Sequence, residues 1–491
     1  MKNALGSCGL GTRQQLWQYA KKNIDRSVYH FQPERLLGNA RLWAQKFPGI
    51  QPYYAVKCNN HPQILSTLAS VGFSFDCASQ REIQMAQEVL TQEVLTQEVL
   101  VPTHEVLTPL PPGEYPGESI TYQTTESRVD PVSELPRIIF ANPVKMPSHL
   151  QYAKRSGVQL MTADCPEELE KIAQYSPSAQ VLLRIAVDDS QSICKFNSKF
   201  GMPPNEDFLV PFFDRIIAIN GKHGENDKKG KGEGNEGYEG QATVPRINAV
   251  GVSFHVGSGC LSSNSYKDAI EKSRYVFDFA QKYGMRFKIL DIGGGFIQKE
   301  PLLTDVSETI STCLNRYFGW TPGSTDPLVI AEPGRFMASN VFDLYVQVIG
   351  KKTITGGVPP VSGQTGAYPH IKYTVNNSVY GAFNCKIFDY AKFQFDIYKG
   401  DSHDHLFMNQ NGVWMTDEGT FVPDTLKPST IFGATCDSLD VIIENTSFPE
   451  LDVGDHLCFK NMGAYTYSAS SEFNGIPSAL VWGGSPQNPA E

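Results

Sequence analysis

Lys57 closes the apolar run PYYAVK at 52–57, which places an amine at the end of a strand. Partial burial there lowers an ammonium pKa and makes Lys57 a candidate Schiff-base nucleophile. A lone lysine is more often a surface residue lying along apolar neighbours, so its meaning depends on what else converges on it. Gly293, Gly294 and Gly295 follow an apolar run in LDIGGGF, and three adjacent glycines expose backbone N–H groups that can wrap a phosphate. Alone, the triplet is as often a tight turn. Arg335 in AEPGRF adds the matching cation and tips the reading towards a phosphate site. Glu332, three residues before it, is the carboxylate that a pyridoxal ring nitrogen needs to stay protonated. His255 and Ser258 in SFHVGSG offer a ring to stack on such a cofactor and a hydroxyl for its phosphate.

These residues sit at the ends of regularly spaced apolar runs: PYYAVK, FSFDCAS, RIIFANP, VQLMTAD, VLLRIA, AVGVSFHVGS, KILDIGGG and LVIAEPGR. Amphipathic segments such as HPQILSTLAS and CPEELEKIAQYS lie between them. Strand–helix alternation calls for parallel strands, and eight units close a (β/α)8 TIM-type barrel, an α/β fold. Such barrels carry their chemistry at the C-terminal strand ends, where the polar and glycine residues cluster here. An open doubly wound sheet competes, but it would concentrate its glycine-rich signal at one switch point. Beyond about residue 340 the chain turns β-rich, which predicts a mostly β C-terminal domain. The expected division is an N-terminal segment at 1–28 docking on the β domain, a barrel at 29–338 and the β domain at 339–491. Two stretches interrupt the barrel, near 88–135 and 221–245. The first opens on the tandem QEVLT repeat at 87–101, whose period of five gives no steady apolar stripe on a helix, and continues into a Pro-rich run. The second, GKHGENDKKGKGEGNEGYEGQA, has almost nothing to join a core. Both read as surface insertions.

Length and charge narrow the class. The 491 residues suit two medium domains, and 41% hydrophobic residues are enough to bury a core. A net charge of −10 argues against a nucleic-acid or anionic-membrane binder. No apolar run nears the ~20 residues of a bilayer span. The N-terminus has no apolar signal core, and the ten cysteines show neither CxxC pairs nor zinc spacing, so no metal site is expected. A reduced, cytoplasmic location is expected.

YAVKCN, FDCAS, SFHVGSGC, LDIGGGF, AEPGRF, CDSLD and NMGAYT, in this order and spacing, resemble the eukaryotic ornithine decarboxylase family. Its members are group IV pyridoxal-phosphate decarboxylases of the alanine-racemase-like fold, a barrel followed by a β domain. The similarity spans most of 30–480 outside the two insertions. It implies that pyridoxal 5'-phosphate is held on Lys57, with Glu332 at its ring nitrogen and His255 stacked on its ring. It places Gly293, Gly294, Gly295, Ser258, Arg335 and Tyr465 around the phosphate, and Asp76, Glu82 and Arg184 along the cofactor site. Cys436 becomes the acid that returns a proton to the substrate carbon, and Asp437 the holder of its distal amine. Both reach the other subunit's site in the family, so a head-to-tail homodimer with shared active sites is implied. Phe473 borders the substrate entrance. The implied reaction is decarboxylation of L-ornithine to putrescine, and an antizyme-like regulator is a further family partner.

The family's VNDGVYGSF appears here as VNNSVYGAF, which puts Asn377 where an aspartate would pair the distal ammonium. That departure keeps lysine, arginine, diaminopimelate or a less charged amino acid open as substrates. A non-catalytic antizyme-inhibitor-like binding protein is the third reading, opposed by the intact Lys57, His255, Glu332, Arg335, Cys436 and Asp437. CDSLD for CDGLD and KNMGAYT for ENMGAYT are smaller departures. The long tail that marks some animal members for degradation is not expected.

Overall fold

Eight parallel strands close into a barrel: Gln51–Ala55, Ser74–Cys77, Ile138–Phe140, Leu160–Ala163, Ala179–Arg184, Ile247–Ser253, Ile289–Asp291 and Leu328–Ala331, the eighth pairing with the first. They coincide with the eight apolar runs of the sequence. Both faces of each strand are buried, which is why the runs are continuous rather than alternating. Tyr53, Ile139, Leu160, Leu182, Ile289 and Ile330 fill the barrel, while Tyr54, Phe75, Phe140, Met161 and Leu183 pack outwards in the larger core. Four helices, Pro33–Lys46, Pro62–Ser70, Pro147–Arg155 and Pro166–Tyr175, start on proline, whose fixed φ and missing N–H suit a first turn. The eighth strand is followed only by a single-turn helix, Arg335–Ala338. Pro33–Lys46 packs beside it, with Asn39 Nδ2 donating to the Met337 carbonyl at 2.8 Å.

The computed structural model describes residues 16, 18–23, 25–99, 135–229, 246–354, 370–400, 404–420 and 426–483, without the side chains of 94–99 and 222–229. One helix runs from Gln80 to Val99 and so enters the QEVLT repeat, where the period of five predicts no steady apolar stripe. The first repeat packs: Val89 is buried, Leu90 lies against the core, and Gln87 Nε2 donates to the Ser156 carbonyl at 2.9 Å; Glu93 of the second accepts from Arg137 at 3.2 Å. Gln, Glu and Leu propagate a helix already anchored in this way. The helix Glu206–Lys229 likewise buries Phe212, Phe213 and Ile216 and carries on into the second insertion. The rest of both insertions, 100–134 and 230–245, lies outside the described residues.

The second domain is built on a ten-stranded sheet. Its long strand Phe342–Ile354 pairs antiparallel with His370–Val375, His456–Phe459 and, at its beginning, with Val28–Phe31. Val28–Phe31 also pairs in parallel with Leu480–Trp482. The sheet therefore takes strands from both ends of the described chain, and residue 29 falls inside one of them. Leu16 and Ala20 pack on this sheet with Val28, Tyr345, Cys458 and Trp482. The chain returns to the barrel mouth at 463–468: Tyr465 N–H donates to the Cys58 carbonyl and Ser468 Oγ to the Lys57 carbonyl, each at 2.8 Å.

Candidate active site

Lys57 stands in the turn Val56–Cys58 at the C-terminal end of the first barrel strand, its side chain 37% exposed to the mouth. Its ammonium donates to Asp76, at the end of the second strand and fully buried. Asp291 ends the seventh strand and Glu332 follows the eighth, both buried. Asp76 and Glu332 act on the Lys57 amine, and Asp291 acts on Glu332. Burial alone would lower the Lys57 pKa, but Asp76, Glu332 and Tyr465 outweigh it and hold it above the ordinary lysine range. That corrects the lowered value expected from partial burial, which took no account of the carboxylates opposite. Burial, against a hydrogen bond from the Gly293 amide, pushes the Asp291 carboxyl up to about 7. Burial, Asp291 and Asp76 raise Glu332 well above the usual carboxylate range. Asp291 is a site residue that the sequence reading missed; a lone acid at the end of an apolar strand was its signal.

The other wall is built for an anion. Gly293 has φ +64°, and a Cβ there would lie 2.1 Å from the Phe254 carbonyl oxygen. A Cβ on Gly294 would lie 2.8 Å from both His255 Nε2 and the Glu332 carbonyl oxygen, so only glycine lets this backbone approach. Gly295 continues the turn beside Gly257. His255 Nδ1 accepts the Gly257 N–H at 3.0 Å, which puts its proton on Nε2, and the ring meets Phe196 edge-on at 4.9 Å. Burial, then Arg184 and Lys57, push its pKa well down, so the imidazole is neutral. Arg335 lies over the Tyr465 ring at 5.1 Å and donates to Ser258 Oγ at 3.0 Å. Asp389, in the β domain, accepts from the same guanidinium at 2.7 and 2.5 Å. It too was missed, having no local signal so far along the chain from Arg335.

Arg184 ends the fifth strand with its guanidinium over the Phe200 ring at 5.1 Å, and its charge favours ionisation of Asp291 and Glu332. Glu82 sits one layer out: its carboxylate accepts the Ala78 N–H at 2.6 Å at the start of the helix beginning at Gln80. Cys436 and Asp437 form an open corner of the β domain, with Cys436 exposed. Asp437 accepts from the Tyr380 hydroxyl and from the Leu439 N–H, which hold its carboxyl below the usual range. Tyr380 stacks on Phe473 at 4.4 Å. Asn377 is buried within its own chain. It is 2% exposed, its Oδ1 accepts from Ser378 and Ala382 N–H at 2.7 and 2.8 Å, and its Nδ2 donates to Ser27 Oγ at 2.6 Å. Its amide braces its own turn against the N-terminal segment, with both of its polar atoms engaged within the chain.

Among the described buried polar atoms without a partner are Asp76 Oδ1, Asp291 Oδ2 and Arg335 Nε. A molecule with a cationic ring nitrogen at one end and a phosphate at the other satisfies both kinds, so the residues fit pyridoxal phosphate. The comparisons agree. The family model described as pyridoxal-dependent decarboxylase, pyridoxal binding domain, matches residues 34–102, 130–211 and 219–339. The chain is 33% identical to the ornithine decarboxylase of Mus musculus over 438 residues, 88% of this chain and 75% of that protein. It is 35% identical to antizyme inhibitor 2 of Xenopus laevis over 437 residues, with the same coverage. The arginine decarboxylase of Paramecium bursaria Chlorella virus, solved with agmatine, superposes with a TM-score of 0.70 at 27% identity, covering 96% of this chain and 100% of that one. Taken with the geometry of the mouth, these matches mean that the chain belongs to the pyridoxal-dependent decarboxylases and is an amino-acid decarboxylase with pyridoxal phosphate as its cofactor.

Proposed function

We propose that the protein decarboxylates a basic L-amino acid, L-ornithine first, releasing CO2 and putrescine. The observation that carries the reaction class is the placing of Asp76 and Glu332 about Lys57, with Asp291 beside Glu332, opposite the arginine and glycine wall. Pyridoxal phosphate supplies an electron sink for the pair left on Cα as CO2 departs. Asp76 holds the Lys57 Nζ in place, and Glu332 would be the carboxyl that pairs with the cofactor's ring nitrogen. Neutral His255 offers a flat face without a competing charge. The names of the ornithine decarboxylase relatives support the substrate.

The same reading makes the enzyme a homodimer. Within one chain Cys436 is exposed, and Leu439, Phe388 and Tyr390 are 74%, 73% and 70% exposed on the β domain. In a head-to-tail dimer, Cys436 of the partner subunit returns the proton to Cα, and Asp437 of the partner subunit pairs the distal ammonium. With both polar atoms of Asn377 engaged within its own chain, nothing at that position favours a neutral substrate. A reducing, cytoplasmic location agrees with nine free cysteines among the described residues, no described helix being long and apolar enough to cross a membrane. An antizyme-like regulator belongs to this reading.

The likeness to an antizyme inhibitor favours one alternative, a protein that binds without turnover. Measuring CO2 release from ornithine, lysine, arginine, diaminopimelate and a neutral amino acid decides. Ornithine is expected to react fastest. Cofactor absorbance without CO2 from any substrate would establish the alternative.

A further inference from the structure

Arg335 presents two edges, and the structure uses them differently. Its outer edge, Nη1 and Nη2, is taken by both oxygens of Asp389 at 2.7 and 2.5 Å. Its lateral edge, Nε and Nη2, meets only the Ser258 hydroxyl at 3.0 Å, and Nε is buried without a partner. The Tyr465 ring covers one face of the guanidinium. Arg335 is thus fixed at one end and on one face, and its remaining edge looks into the barrel mouth beside the hydroxyl expected to meet a phosphate.

Asp389 is itself held. It follows the short helix Cys385–Phe388, its N–H donates to the Cys385 carbonyl at 3.0 Å, and Cys194 Sγ lies 3.4 Å from its Oδ1. Lys386 in that helix donates to the Val441 carbonyl at 2.5 Å, so the element is pinned within the β domain.

We infer that Asp389 is a positioning residue for the cofactor phosphate, gripping the outer edge of Arg335 from the β domain so that its lateral edge and Ser258 are aimed at that phosphate. The inference rests on the binding of pyridoxal phosphate to this chain. A bidentate carboxylate fixes a guanidinium in plane as well as neutralising it, whereas a lone arginine on a long side chain would have to be ordered by the incoming phosphate. Phosphate affinity in the barrel then depends on a β-domain residue that never touches the cofactor.

The test titrates full-length protein, stripped of cofactor, with pyridoxal phosphate and with pyridoxal, which lacks the phosphate. In Asp389→Asn, affinity for pyridoxal phosphate is expected to fall on the order of tenfold, the scale of a lost charged partner, with pyridoxal affinity unchanged. Asp389→Glu should recover part of the loss. Adding Asp389→Asn to Arg335→Ala should cost nothing more, because the residue then has nothing to position. Equal losses for both ligands would reduce Asp389 to general packing. Tighter binding of pyridoxal phosphate would make it a competitor of the phosphate. Unchanged affinity with a raised KM for the amino acid would make it a substrate contact, and each of these three outcomes overturns the inference. A wild-type protein that bound neither ligand would overturn the cofactor reading beneath it.

Discussion

Asp291 and Glu332 show how much of this site is set by unpaired charge. An ordinary aspartate titrates near 4 and Asp291 at about 7, so between those values the unfolded chain loses a proton that the folded chain keeps. The folded state then binds more protons, and this group's contribution to stability falls as pH rises from about 4 to 7. Asp291→Asn removes the effect and keeps an acceptor for the Gly293 N–H. Melting of cofactor-free protein should show the variant gaining on the wild type as the pH is raised over that window; a constant difference would put the charge elsewhere. Asn377 carries the opposite lesson. Its motif position reads as a substrate contact, but burial and two backbone donors make it a brace. Asn377→Asp should leave KM for ornithine within about twofold, because an interaction absent from the bound state cannot alter binding. A roughly tenfold fall in KM would return the residue to the site. Residue identity was readable from motifs; the direction of a side chain was not, since it depends on Ser27, about 350 residues away along the chain.

Strands were the most legible elements, because a strand buried on both faces leaves a continuous apolar run bounded by polar residues. The QEVLT helix was illegible for the converse reason: a period of five gives no apolar stripe, although Val89 and Leu90 of the first repeat pack. Loops that aim side chains leave the least trace, and the corner bearing Cys436 and Asp437 is held by Asp440. That buried carboxylate accepts from Val379 N–H at 2.9 Å and from Thr435 N–H and Oγ at 3.0 and 2.6 Å. It ties the segment of Tyr380 to the segment of Cys436. Asp440→Ala leaves buried donors unpaired and should cost ~1–3 kcal/mol in stability, measured by urea unfolding. It should also lower kcat by disordering the corner, while cofactor affinity, set by the barrel mouth and Asp389, stays as it was. A loss of cofactor affinity of equal size would contradict this separation.

At the scale of the molecule, barrel and β domain divide the chemistry, one holding Lys57 and the other exposing Cys436. If two chains share sites, inactive Lys57→Ala and Cys436→Ala subunits should complement each other. Random exchange makes half the dimers mixed, each with one intact site, so about a quarter of wild-type activity should return. No recovery, with exchange shown by mass, would mean that each chain works alone. The two domains were visible in the sequence as a change of rhythm, but the interlacing of their strands was not, because register is a property of the folded sheet. That interlacing sets an order of assembly on the ribosome. Val28–Phe31 leaves the exit tunnel before every barrel strand, yet its neighbours in the sheet are Phe342–Tyr345 and Leu480–Trp482. At ~5–20 residues per second, an apolar strand waits tens of seconds for its last neighbour while the barrel strands behind it can already pair. The nascent chain must therefore be guarded at Val28–Phe31 rather than at its growing end, and this edge of the β domain is sealed only after Leu480–Trp482 has emerged.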